Sequence, residues 1–267
     1  MSAVLPTANV ASAWRGPSLI LSKKGLLQDS SEAGSIFKLL HLNNNGKAPI
    51  VCIFPRGEAI RNFGYGRALE MIQQECGCAI LSVKPNEAIW RHLASRSSHL
   101  HSLEEFNERY PVRILREVLD MAHGRWLWSE AAQERWRLRD LEAVTVGQKI
   151  KRWGKKVAVE PLSNRAGLSL LSGSERVTSR MLSQTNHYLD LYREWRPSLV
   201  FNASHVHSRN AIQAVQSAQW LGILTAPFIF SWDNLHSQGR VFPAYDYYLV
   251  VNEALKKQLL EIYTFIG

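Results

Sequence analysis

Cysteine is scarce in this chain: Cys52, Cys76 and Cys78 are its three in 267 residues. An odd set, with two members inside apolar runs, argues against a disulfide framework and for a reducing compartment. The Cys76-x-Cys78 pair lacks a second cysteine pair and a nearby histidine, so no metal is expected there. No apolar run approaches the roughly 20 residues that a spanning helix needs. The opening MSAVLPTANVASAWRGPSLILSKKG has no basic start followed by an unbroken apolar core, so no secretory signal is expected and a cytoplasmic protein is. Acidic charge is also short, with 23 Asp+Glu against 32 Lys+Arg and a formal charge of +9. That balance favours anionic partners. Helix-turn-helix, zinc-finger and RNP-type signatures are all missing, so nucleic acid is not an expected partner.

What the chain does have is a rhythm. Residues 1 to 45 read as a loosely packed arm with a short strand at SLILS, closed by the turn signal NNNGK. From residue 46 onward, short apolar runs alternate with helix-period segments. PIVCIFP, CAILSV, SLVFNA, ILTAPFIF and YDYYLVV read as strands. Helices are expected over about 61–75, 86–94, 174–194, 208–221 and 252–263. Strands apolar on both faces, alternating with helices, predict a doubly wound parallel sheet of the α/β class. Between about 100 and 164 the rhythm breaks into a basic, tryptophan-rich helical insertion. Over 109–156 it holds 12 basic and 6 acidic residues, and 12 − 6 gives a local charge of +6. Two readings of it stand open: a helical subdomain with tryptophans in its core, or a surface for anionic lipid with Trp126, Trp128, Trp136 and Trp153 at the interface.

In a doubly wound sheet the ligand lies beyond the carboxyl ends of the strands, so the loops there supply the candidates. After the first strand, FPRGEAIRNFGYGR offers Arg56, Glu58, Arg61 and Asn62 as cleft-edge groups. Glu58 is a candidate general base, because a carboxylate held in a dry cleft is a better proton acceptor than one in water; alternatively it favours a helix amino terminus electrostatically. The segment GYGRAL over 64–69 lacks the third glycine of a dinucleotide fingerprint and falls within an expected helix, so no NAD site is read there. FNASHVHSRN supplies Asn202, Ser204, His205 and His207, with ligand contact favoured over metal binding. FIFSWDNLHSQGR supplies Trp232, Asp233 and Asn234.

Taken in order, VCIFPRGEAIRNF, RPSLVFNASHVHSRN, LGILTAPFIFSWDNLHSQG and YDYYLVVNEALKKQL resemble the N-terminal, acceptor-side domain of bacterial GT-B glycosyltransferase-like proteins. The resemblance implies a Rossmann-like lobe facing a second, donor-binding lobe across a cleft. It also implies a nucleotide-sugar donor, a glycan or lipid-linked cell-envelope acceptor, and no bound metal or other cofactor. Under it Glu58 or Asp233 is the preferred base, with His205 or His207 next. Arg56 and Arg61 would steady anionic groups, while Asn62, Asn202, Trp232 and Asn234 would contact substrate. The chain ends at Gly267, where the resemblance would place the start of the donor lobe, so the chain is expected to be one lobe, either a fragment or a split gene product whose donor lobe is a separate partner. A peripheral site on the inner face of the membrane is a further expectation. Kindred alternatives are a sugar-nucleotide epimerase-like or glycerophosphate-transferase-like lobe. A different class is a non-catalytic, single-domain binding module.

Overall fold

The computed structural model describes residues 19–22, 25–26, 48–84, 86–105, 108–182, 186–204, 209–231, 235 and 240–263. The strands are β1 (Leu19–Ser22), β2 (Gly25–Leu26), β3 (Ile50–Phe54), β4 (Cys78–Ser82), β5 (His99–Ser102), β6 (Leu199–Asn202), β7 (Leu224–Ile229) and β8 (Tyr247–Val250). Their order is β2-β1-β8-β7-β6-β3-β4-β5. The six strands from β8 to β5 are mutually parallel. Counted along the chain from β3, this is the doubly wound order 3-2-1-4-5-6, and the chain reverses direction across the sheet between β3 and β6. The arm's strand β1 closes one edge by pairing antiparallel with β8.

The helices are α1 (Arg67–Glu75), α2 (Glu87–Ala94), α3 (Tyr110–Leu127), α4 (Glu130–Leu141), α5 (Val146–Val159), α6 (Arg165–Leu182), α7 (Asn186–Trp195), α8 (Arg209–Trp220) and α9 (Glu253–Tyr263). Two-residue alternation divides the strands between two cores. Val51, Ile53, Ala79, Leu81 and Val200 pack with Tyr188 and Tyr192 of α7, Val215 of α8 and Leu259 of α9. Ile50, Cys52, Phe54, Ile80 and Phe201 face the other way, onto Phe63, Leu69 of α1 and Leu93 of α2. Helices therefore cover both faces, which is why these strands carry continuous apolar runs. All three cysteines are buried free thiols. The Cys78 thiol donates to Cys52 Sγ at 3.7 Å, and that bond together with burial pushes the Cys52 thiol pKa upward.

Three expectations need correction. The helix expected over 61–75 is broken: one turn at Gly57–Ala59 runs into a π-helical turn at Ile60–Gly64, and α1 begins at Arg67. The helix expected over 174–194 is two helices, α6 and α7. The start of the expected insertion holds a sheet strand, β5.

The crossover from β5 to β6 carries α3 to α7, and α3, α5 and α6 share a third core around Leu119, Met121, Ala122, Val159 and Leu168. Trp126 and Trp136 pack against that core, whereas Trp153 is exposed. The core reading thus holds for Trp126 and Trp136 and not for Trp153. The bundle is fastened by charge. Arg116 of α3 donates to Glu175 Oε1 of α6 at 2.6 Å, to Ser179 Oγ at 3.0 Å, and to Glu108 Oε1.

Where the bundle meets α9, His123 is buried, with its Nε2 3.5 Å from the Ile262 carbonyl oxygen. Burial, reinforced by the Arg240 guanidinium, lowers its pKa to about 3, so the imidazole is neutral in the fold. An unfolded histidine titrates near 6.5. Between those two values the unfolded chain binds the extra proton, so stability is lost as pH falls through the window, by up to about 1.4 kcal/mol per pH unit. Thermal melts of wild type and His123→Gln across this range should show the variant with the shallower acid loss. Parallel curves would show that His123 does not carry the effect.

Candidate functional site

The reversal point places the ends of β3 and β6 side by side, with Ile53 opposite Asn202. The chain leaves β3 through Pro55 and Arg56 and turns at once into helix, so Glu58 lies in the first turn. A Cβ built on Gly57 meets no atom within 4 Å, which leaves the backbone open there. Across the gap, Ser204 is fully buried, and its Oγ donates to Glu58 Oε1 at 3.0 Å. The Ser204 backbone N–H donates to Asn202 Oδ1 at 3.2 Å, and Asn202 Nδ2 donates to the Tyr245 hydroxyl at 2.8 Å. Glu58, Ser204, Asn202 and Tyr245 thus form one hydrogen-bonded line from the strand ends into the sheet.

Of the sequence-derived candidates, the fold brings Glu58 and Asn202 together through Ser204. Asn202 is completely buried, and its amide spends both ends on the line just described, so its place is that of a support for the Ser204 loop. Arg56, Arg61 and Asn62 are exposed around the same turn, and Arg61 Nε lies 3.4 Å from Asn62 Oδ1. Trp232, Asp233, Asn234, His205 and His207 lie outside the described residues. Tyr245 was not a candidate from sequence, because a tyrosine entering a strand looks like core until its hydroxyl is traced to a partner. Tyr245→Phe removes the acceptor of a buried amide and is expected to cost about 1–3 kcal/mol. Urea denaturation measures it, and an unchanged midpoint would show that the bond carries no net stability.

The π-helical turn packs onto the strand ends. Its Phe63 ring meets Phe201 and Phe228 edge-on, each at 5.2 Å between centroids, which pins the turn onto the strand ends. The glycines of GYGRAL serve packing. A Cβ on Gly66 would sit 2.9 Å from the Asn62 carbonyl oxygen, and one on Gly64 would sit 3.0 Å from Leu93 Cδ2.

A separate cavity of about 280 Å³ lies by the amino ends of β7 and β8, lined in part by Glu175, Gln216, Gln219, Arg240 and Asp246. Several of these groups are committed to structure. Gln219 Nε2 donates to the Ala244 carbonyl at 2.6 Å, Asp246 Oδ2 accepts from the Thr225 hydroxyl at 2.8 Å, and Glu175 holds Arg116. Among the described residues no cluster of three or more His, Cys, Asp or Glu is arranged to hold a metal ion. No helix among them is long and apolar enough to cross a membrane.

No protein-family model matches the chain, and neither a curated protein nor a solved structure matches it.

Proposed function

We propose that the crevice between β3 and β6 binds the hydroxyl-bearing acceptor of a GT-B type sugar transfer, with Glu58 as the general base. The observation that carries this reading is the carboxylate of Glu58, held by Ser204 Oγ at 3.0 Å at the reversal point of the sheet. In nucleotide-binding relatives of this topology a glycine-rich turn offers its N–H groups to a pyrophosphate at that place. Here the first turn places the Glu58 carboxylate where a pyrophosphate would meet the N–H groups, which suits a hydroxyl at that spot better than a phosphate. An anionic donor is therefore assigned to a second lobe, reached across the cleft.

The chemistry follows from that placement. The acceptor oxygen attacks the anomeric carbon of the donor sugar, the bond from that carbon to the diphosphate oxygen breaks, and the hydroxyl proton passes to Glu58. The diphosphate departs with the electron pair. Arg56 and Arg61, exposed beside the turn, supply positive charge toward that leaving group, in the role that basic side chains take when no metal is used. The Ser204 bond restrains the Glu58 rotamer before the acceptor arrives.

The protein, assayed together with a candidate donor-binding lobe, should transfer sugar from a UDP-, GDP- or CDP-sugar to glycan or lipid-linked acceptors, with product followed by mass spectrometry. Binding of a glycan without transfer from any donor would instead support a binding module. Neither binding nor transfer, with both lobes folded, removes the reading.

A further inference from the structure

Helix α5 is fastened to the bundle on one side only. Arg152 and Lys156 pair with Asp140 of α4 at 2.9 and 2.5 Å, and Lys155 pairs with Glu117 of α3 at 2.6 Å. Val159 enters the bundle core. On the opposite side Val146, Ile150, Trp153 and Val157 recur at i, i+4, i+7 and i+11, a single stripe at helical spacing. They are 74%, 63%, 67% and 53% exposed. The turn that leads into the helix adds Leu141 and Val144, also exposed. A Thr145–Gln148 capping box fixes the start of the helix, so the stripe is held in place. Gly147 and Gly154 have open space where a side chain would stand, and this keeps the exposed flank low.

Along α5 itself the charge has one sign, while exposed Glu142 lies in the turn before it and Glu160, paired with Arg125, follows it. Between Ala143 and Val159 the chain has Lys149, Lys151, Arg152, Lys155 and Lys156 and no acidic residue. Lys149 and Lys151 are exposed, and neither has an ion pair among the described residues. An apolar stripe with a tryptophan near its middle and unneutralised lysines beside it matches a surface that is apolar beneath and negatively charged on top. A second copy of the chain would bring the same lysines against these and is disfavoured by like-charge repulsion.

We infer that α5 is an interfacial helix that seats the protein on an anionic lipid bilayer. Val146, Ile150, Trp153 and Val157 enter the acyl boundary, and Lys149 and Lys151 rest among the headgroups. The inference stands apart from the chemistry assigned to the crevice.

Vesicle co-sedimentation of the full chain tests it. Binding should be seen with phosphatidylcholine vesicles containing about one-third phosphatidylglycerol, should be several-fold weaker with phosphatidylcholine alone, and should weaken at high salt. The double variant Ile150→Glu, Trp153→Glu should bind the anionic vesicles roughly tenfold or more less tightly. Lys149→Ala with Lys151→Ala should lose roughly tenfold at low salt and less at high salt. These side chains are on the surface, so the circular dichroism melts of all variants should match wild type. Met71→Glu, on exposed α1 surface, makes the same per-residue charge change elsewhere and should leave binding intact. The inference is overturned by no binding to either vesicle, by equal loss in Met71→Glu, or by retention of binding in the double stripe variant. Self-association of the lipid-free protein that the stripe variant abolishes would also overturn it, by assigning the stripe to a second copy.

Discussion

Glu58→Gln is expected to lower sugar transfer by roughly two to four orders of magnitude while leaving acceptor binding within a few-fold of wild type. The amide keeps the shape and accepts the Ser204 hydroxyl as the carboxylate does, but it has no basicity with which to take a proton. The loss should therefore fall on kcat, with KM for the acceptor nearly unchanged. Ser204→Ala provides the comparison. It leaves the base in place and releases its rotamer, so a smaller fall of roughly tenfold is expected, consistent with one lost hydrogen bond to a charged group. Should Glu58→Gln retain near wild-type turnover, the base lies elsewhere in the crevice and the assignment is wrong. Should both variants lose acceptor binding in step with turnover, Glu58 serves as a ligand contact.

Arg116→Met is expected to be the most damaging single change to stability, at about 3–5 kcal/mol. Arg116 and Glu175 are both nearly withdrawn from water, with side-chain exposures of 7% and 8%. Removing the guanidinium leaves the Glu175 carboxylate without its counter-charge, held by the Ser179 hydroxyl at 2.8 Å, and deprives Ser179 and Glu108 of their donor. A midpoint lower by about 10 °C in thermal unfolding would match that cost for a chain of this length. Arg116→Lys should recover little, since one ammonium cannot serve three acceptors in different directions. Adding Glu175→Leu to Arg116→Met should restore much of the loss, because it removes the stranded charge. If the single variant stays within about 1 kcal/mol of wild type, water reaches the cluster and the burial argument fails.

Much of the sheet was legible because buried parallel strands announce themselves. IVCIF and CAILS are apolar on both faces and could be read directly. Strand β5 could not: its HLHS sequence is half-exposed at the sheet edge, so neither continuous apolarity nor alternation marks it. The π-helical break was equally hidden. Its Phe63 packs edge-on to Phe201 and Phe228, residues far away in the chain. Glu58 drew notice from position alone, as an acid four residues past the end of a central strand. Asn202 illustrates the limit of such reasoning. A polar residue at a strand end suits a ligand or a buried partner equally well, and only the Tyr245 hydroxyl decides between them. Within the basic insertion, composition could not separate Trp136, which packs in the bundle, from Trp153, which does not, because that depends on which face of each helix is covered.

The order of the strands also governs the protein's birth on the ribosome. Of the parallel strands, β3, β4 and β5 emerge first and can pair as they come, but the open side of β3 waits for β6, which follows only after residues 55 to 198 have been made. At ordinary rates of synthesis that interval is about 10 s, during which Val51 and Ile53 lack the cover of the later half. The charged bundle in the crossover has a core of its own and can settle before the second half of the sheet arrives. It then delivers β6 to the waiting edge. A nascent chain arrested before Leu199 should accordingly need chaperone protection, whereas the full chain, with α9 in place over that core, should not.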